Sequence, residues 1–276
     1  MIDARTRLYG IIGNPIRKSL SPVIHNNAFR RMGINAAYLA FEVNEVQDAL
    51  RGIRGLDIQG VSVTMPFKLS VIPFLDELDI LTERIGAVNT IVNSAGKLIG
   101  HNTDLYGALR PLEERIDLKG KRVILLGAGG SARAIAYGLK EKGCRVAIFN
   151  RSLERAATLA QELGYSYHSL SAFAAMEEDA TEGDVLINTT PVGMYPNETE
   201  SPFPKHLLRE GMIVMDIVYQ PLRTKLLQEA QEQGCETIDG LEMLAYQGVG
   251  QLEIWTGESP DGKQIKADLR RALDGS

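Results

Sequence analysis

The segment Leu125-Leu126-Gly127-Ala128-Gly129-Gly130-Ser131-Ala132-Arg133-Ala134 constrains this chain more than any other. An apolar run from Arg122 to Leu126 leads into the glycines, and a helix-period pattern over 132–142 follows. Gly127, Gly129 and Ala132 fit G-x-G-x-x-G/A. The first glycine permits a tight turn, the second lets backbone approach a pyrophosphate, and the third small residue lets helix pack on strand. The helix N-terminus then offers free N–H groups and a positive dipole end to phosphates. Gly127, Ala128, Gly129, Gly130 and Ser131 are therefore candidate cofactor-binding residues. A purely structural glycine turn is the plain alternative, and the flanking strand and helix favour the phosphate cradle.

The next strand, 145–149, ends at Asn150-Arg151, 23 residues past Gly127. An acidic residue here would hold the ribose 2′-hydroxyl of NAD. This chain has an amide and a guanidinium, with Arg155 one helical turn on. An acid would repel a 2′-phosphate, whereas arginine can grip one bidentately. The expected cofactor is NADP, the alternative being a solvated arginine pair at a helix start.

A chain of 276 residues has room for one large domain or two medium ones and needs no disulfide or metal to fold. Its net charge is -5, and it has no basic tract, which argues against nucleic acid or an anionic membrane as partner. Two cysteines, Cys144 and Cys235, are too few for a disulfide framework or a zinc site, so no metal is expected. No apolar run reaches the ~18 residues of a membrane span, and the start lacks a signal-peptide apolar region. A cytoplasmic protein acting on a small molecule is expected, with monomer and homodimer both open.

Strands are expected at 8–13, 37–43, 59–65, 122–126, 145–149, 184–188, 212–217 and 236–238. Helices are expected at 22–33, 45–53, 67–75, 106–115, 132–142, 153–163 and 222–233, with a helical tail over 241–274. Runs 88–92 and 98–101 flank Ser94-Ala95-Gly96 as a hairpin. Ser259-Pro260 reads as a helix start, with serine as N-cap. Strands alternating with helices imply βαβ units and mostly parallel sheets. The fold class is α/β, with an N-terminal α/β domain followed by a Rossmann-like domain.

Further candidates precede the glycine motif. Ser19 and Ser21 flank the start of the first long helix, where hydroxyls suit a carboxylate or simply cap the helix. Thr64 closes a strand, where open α/β sheets bind ligands. Lys68, in the first turn of the helix expected next, opposes the dipole preference there, and a solvent-facing lysine is the alternative. Asn89 and Asp104 bracket the hairpin, and Asp104 also suits N-capping.

Nine segments in order resemble the shikimate dehydrogenase family: Ser19-Leu20-Ser21-Pro22, Val63-Thr64-Met65-Pro66-Phe67-Lys68, Gly86-Ala87-Val88-Asn89-Thr90, Asn102-Thr103-Asp104, Gly127-Ala128-Gly129-Gly130, Asn150-Arg151, Asn188-Thr189-Thr190-Pro191-Val192-Gly193-Met194, Asp239-Gly240 and Tyr246-Gln247-Gly248. The resemblance implies reversible NADPH-dependent reduction of 3-dehydroshikimate to shikimate, in aromatic amino acid biosynthesis. It implies Lys68 and Asp104 as the catalytic pair, and Ser19 and Ser21 on the substrate carboxylate. Thr64, Asn89 and Gln247 would meet ring hydroxyls, and Tyr219 would lie near the carboxylate. Asn150, Arg151 and Arg155 would hold the adenosine phosphate, and Thr190, Met194, Ile217 and Gly240 the nicotinamide side. It also implies a substrate domain over 1–105, completed by 241–276 as the final helices return to it, and an NADP domain over 106–240.

Two positions depart from the family pattern. Ser62 stands where asparagine is usual, which removes an amide contact and bears on substrate affinity. Leu105-Tyr106 stands where glycine is usual, which bears on packing between the domains. The acid–base or orienting role of Lys68 is left open at this level. So are three rivals: a quinate/shikimate dehydrogenase with broader cofactor use, a tetrahydrofolate-pathway dehydrogenase, and a non-catalytic NADP sensor.

Overall fold

The chain opens with β1 (Arg7–Gly13), α1 (Ser21–Arg31), β2 (Ala36–Glu42), α2 (Val46–Gly55) and β3 (Gly60–Val63) in a computed structural model that describes residues 2–175 and 183–274. β1 pairs in parallel with both β2 and β3. Next come β4 (Glu77–Leu78), α3 (Ile80–Ile85), β5 (Thr90–Ser94) and β6 (Lys97–His101). β5 runs antiparallel to β3 and to β6. The hairpin turn has φ of 52° at Ala95 and 90° at Gly96, the positive pair a two-residue turn of this hand requires. The first sheet has the order β2-β1-β3-β5-β6-β4. Side chains alternate across β3: Val61 and Val63 join Ile12, Leu50, Ile53 and Ile91 in one core cluster, while Gly60 faces Trp255.

Three local expectations are corrected. No α-helix forms over 67–75; the chain coils through turns into a short 3-10 stretch, Ile72–Phe74. Pro66 and Pro73 lack N–H donors, and Lys68 gives its carbonyl to Val88 N–H at 2.8 Å rather than to a helix. The dipole argument for Lys68 therefore falls. Ser21 is not the N-cap of α1: Leu20 holds that position, without a side-chain bond. At the tail, Asp261 accepts from Lys263 N–H, and Ser259 instead donates to Glu253.

The second sheet belongs to α4 (Asp104–Glu113), β7 (Arg122–Leu126), α5 (Gly130–Glu141), β8 (Arg145–Asn150), α6 (Leu153–Leu163), β9 (Ser166–Ser169), β10 (Val185–Asn188), β11 (Ile213–Asp216), α7 (Lys225–Glu232) and β12 (Glu236–Ile238). Its order is β12-β11-β10-β7-β8-β9, with every pairing parallel. This is the doubly wound order, with the switch point between β7 and β10. β10 and β11 are buried throughout, as covering on both faces requires. β9 has no counterpart in the sequence expectations.

Two helices close the chain, α8 (Gly240–Thr256) and α9 (Gly262–Asp274). One unit comprises Met1–Gly107 with Ala245–Ser276, the other Ala108–Leu244, so the changeovers fall inside α4 and α8. α8 is tied to the first sheet by Trp255 Nε1, which donates to the Ile91 carbonyl at 3.1 Å. Among the described residues, no helix is long and apolar enough to cross a membrane.

Candidate active site

Three segments of the first unit converge on one carboxylate. Asp104 opens α4, and its backbone N–H donates to Asn102 Oδ1 at 2.9 Å. Its Oδ2 receives Lys68 Nζ at 2.5 Å, and its Oδ1 receives Asn89 Nδ2 at 2.8 Å. The side chains of Lys68 and Asp104 are 16% and 4% exposed. An ion pair this dry is tolerated only when hydrogen bonds satisfy it, and here they do. An ammonium so aimed can offer a donor and a positive charge to an oxygen beside it. Both carboxylate oxygens of Asp104 thus meet side chains, and the residue stands in the first turn of α4.

Asn89 is itself oriented. Its Oδ1 accepts from the Thr103 N–H at 2.8 Å and from the Thr90 hydroxyl at 2.7 Å. Ser19 is half-buried, and its Oγ accepts from Ser21 N–H at 3.2 Å. Ser21 is buried and bonds the Tyr38 phenol. The Thr64 methyl lies against Gly13, the last residue of β1. Gln247 is buried on α8. Tyr219, half-buried on the loop after β11, belongs to the other unit.

Of the two departures from the family pattern, Ser62 is turned inward and Tyr106 is exposed. Ser62 is 3% exposed; its Oγ accepts from Tyr38 at 2.6 Å and donates to Gln251 Oε1 at 2.9 Å. Tyr106 stands edge-on to Tyr246, centroids 6.1 Å apart, within the same unit, so its packing there is against α8.

The second unit fits a dinucleotide. Gly127 has φ 111°, and a Cβ there would strike the Thr189 hydroxyl, which donates to the Leu126 carbonyl. Gly129 stands at the N-cap of α5 without a capping side chain, and a Cβ on it would enter open space. α5, whose first turn holds Gly130 and Ser131, thus begins without a side-chain cap and with open space at Gly129, as helix ends that bind phosphates do. Asn150 Nδ2 donates to Ser152 O at 2.9 Å, and Ser152 caps α6. Arg151 and Arg155 are exposed, and among the described residues neither guanidinium has a partner. Thr190 bonds Asn188 Oδ1 through its N–H and hydroxyl, at 3.0 and 2.7 Å. Met194 N–H closes a turn onto Pro191 O at 3.1 Å. A Cβ on Gly240 would lie 2.7 Å from the Ile217 carbonyl and 2.5 Å from that of Val218, so only glycine lets α8 begin there.

Sequence reasoning missed Asp216, which ends β11. Its carboxylate takes Asn188 Nδ2 at 2.9 Å, Val218 N–H at 3.0 Å and the Thr224 hydroxyl at 2.7 Å. It therefore ties the Thr190 segment to the Ile217 segment. Burial pushes its pKa up to about 6, against these hydrogen bonds. An acid closing the apolar run Ile213-Val214-Met215 was the available signal. Thr90, Tyr38 and Gln251 were also missed, since their roles are made by partners remote in sequence.

Three family models match the chain: the shikimate dehydrogenase substrate binding domain over residues 11–91, the shikimate/quinate 5-dehydrogenase model over 110–218, and the shikimate 5'-dehydrogenase C-terminal domain over 240–270. A shikimate dehydrogenase (NADP(+)) of Pyrococcus furiosus is 51% identical, covering 95% of this chain and 94% of its own. A crystal structure of a shikimate dehydrogenase in complex with NADP+ superposes with a TM-score of 0.90 at 40% identity, covering 99% of this chain and 97% of that one. The Thermus thermophilus shikimate 5-dehydrogenase, in complex with NADP(H) and shikimate, gives 0.88 at 37% identity, covering 97% and 100%. With the dinucleotide cradle in one unit and the paired lysine and carboxylate in the other, the chain belongs to the shikimate dehydrogenase family.

Proposed function

We propose that the Lys68–Asp104 pair carries out the proton side of a reversible NADP-dependent oxidation. The chain is a shikimate dehydrogenase, interconverting shikimate and 3-dehydroshikimate with NADP. The observation that carries the residue assignment is the 2.5 Å ion pair whose far oxygen is held by Asn89. When bound, NADP supplies the hydride acceptor, and its reduced form the donor. In the reductive direction the Lys68 ammonium faces the ring carbonyl oxygen, stabilises the charge that develops there and delivers the proton. Asp104 aims that ammonium and takes a neighbouring ring hydroxyl.

Ser19 and Ser21 hold the substrate carboxylate, with Tyr219 near it, and Thr64, Asn89 and Gln247 take ring hydroxyls. Gly127, Ala128, Gly129, Gly130 and Ser131 hold the pyrophosphate through α5. Asn150, Arg151 and Arg155 hold the adenosine phosphate, the two arginine guanidiniums, unpaired among the described residues, being suited to a dianion. Thr190, Met194, Ile217 and Gly240 border the nicotinamide. A substrate domain of 1–105 with 241–276 and an NADP domain of 106–240 accord with this division of labour. The free, buried thiols of Cys144 and Cys235 suit a reducing cytoplasm.

Initial rates of shikimate oxidation with NADP and with NAD, followed at the nicotinamide absorbance, test this reading. Turnover with NADP and little with NAD is expected. Equal NAD rates overturn the arginine assignment and favour the quinate/shikimate alternative. NADP binding without turnover overturns the catalytic assignment.

A further inference from the structure

A buried line of hydrogen bonds runs from the core of the first unit to the catalytic carboxylate. Gln251 of α8 is 1% exposed and Thr90 of β5 is fully buried. Gln251 Nε2 lies 3.2 Å from the Asn89 carbonyl and 3.0 Å from Thr90 Oγ1. A peptide carbonyl only accepts, so this end of Gln251 must be its NH2 group. Its Oε1 must then accept, and it takes His25 Nε2 at 3.1 Å and the Ser62 hydroxyl at 2.9 Å. His25 therefore carries its proton on Nε2.

The same logic runs outward. Thr90 Oγ1 receives the Gln251 amide and gives its own proton to Asn89 Oδ1, 2.7 Å away, the atom that the Thr103 N–H marks as an acceptor. Asn89 then has oxygen toward Thr90 and Thr103, and nitrogen toward Asp104. The Thr103 N–H, which can only donate, requires the same Asn89 orientation, so Thr90 and Thr103 hold that amide together. A reversed Asn89 amide would set its oxygen against the Asp104 carboxylate and its NH2 against two donors.

We propose that Thr90 is a positioning residue for the reaction, relaying the fixed polarity of Gln251 to Asn89 so that Asp104 accepts from Asn89 and aims Lys68. The proposal rests on the roles of Lys68 and Asp104 given above. It gives the hydroxyl of Thr90 a task no other group at that position performs, since a valine of the same shape can neither receive Gln251 nor donate to Asn89. It also gives Ser62 a place: its hydroxyl saturates the far oxygen of Gln251 and keeps that side chain from turning over.

The test compares Thr90→Val with Thr90→Ser in the full-length protein. Thr90→Val is expected to lower kcat for shikimate at least tenfold, while the Kd for NADP, held by the other unit, stays within twofold. Thr90→Ser keeps the hydroxyl and is expected to restore kcat to within threefold. The second readout needs no turnover: hydrogen exchange at the Thr103 backbone amide, which donates to Asn89 Oδ1. It is expected to quicken at least tenfold in Thr90→Val and to return in Thr90→Ser. Unchanged exchange in Thr90→Val overturns the relay, whether or not the parent oxidises shikimate. Fast exchange with parental kcat also overturns it, leaving Thr90 a role in packing alone. Failure of the parent to turn over shikimate counts against the functional reading, and the exchange measurement still decides the relay.

Discussion

Lys68 Nζ stands 2.5 Å from Asp104 Oδ2, across 36 residues of chain. One side chain arrives on a coil after β3 and the other on the first turn of α4. Lys68→Ala should lower kcat for shikimate by about 10²–10⁴, with a change in KM of no more than a few-fold, because the lost donor acts as charge develops on oxygen. Steady-state kinetics at saturating NADP measure this. A parental kcat in Lys68→Ala refutes the assignment.

Arg151 and Arg155 are exposed and, among the described residues, unpaired. Replacing both with alanine should raise KM for NADP by about tenfold or more, since hydrogen bonds to charged groups contribute roughly 1.5–3 kcal/mol each. KM for NAD, which has no 2′-phosphate, should hardly move. Parallel titrations with the two cofactors check this, and an equal loss for both contradicts a phosphate clamp.

His25 lies on Tyr38 with ring centroids 4.2 Å apart and is wholly buried. Burial lowers its pKa to about 3, against the Gln251 hydrogen bond, which raises it. Unfolded, the ring takes its proton near 6.5, so between pH 6.5 and 3 the unfolded chain binds more protons. Stability is therefore lost as pH falls through this window, by about 2 kcal/mol at pH 5 from this group. His25→Phe keeps an aromatic ring on Tyr38 and should flatten that loss. Urea unfolding at pH 7 and pH 5 shows whether the difference shrinks.

Asp216 acts in the opposite sense. Burial raises its pKa from 3.8 to about 6, so between those values the folded chain binds more protons. Its contribution is fully present below pH 3.8 and is lost as pH rises through about 6, amounting to about 3 kcal/mol. Asp216→Asn should remove this dependence, leaving a steeper net rise in stability between pH 4 and 6 than the parent shows. The same unfolding series from pH 4 to 7.5 resolves it, and an unaltered slope contradicts the raised pKa.

The sequence by itself determined what depends on neighbours within a turn or two. The bare glycine entry to α5, the apolar strand β7, the helix α6 and the guanidiniums that follow Asn150 are all local. Their periodicity and turn chemistry are set by residues close in the chain, although the ladder bonds of β7 go to β8 and β10; the parallel alternation of the second sheet was legible from that periodicity. The nine matched segments carry the family resemblance. Only the tertiary structure decided that Lys68 sits on a coil, because its carbonyl is claimed by Val88 rather than by a helix. Only it turned Ser62 away into the core, since β3 alternates and α8 covers that face. Thr90 and Gln251 are 161 residues apart, and nothing in either neighbourhood announces the other. Their bond exists because α8 returns to the first sheet, and a buried amide there must find partners wherever the fold supplies them.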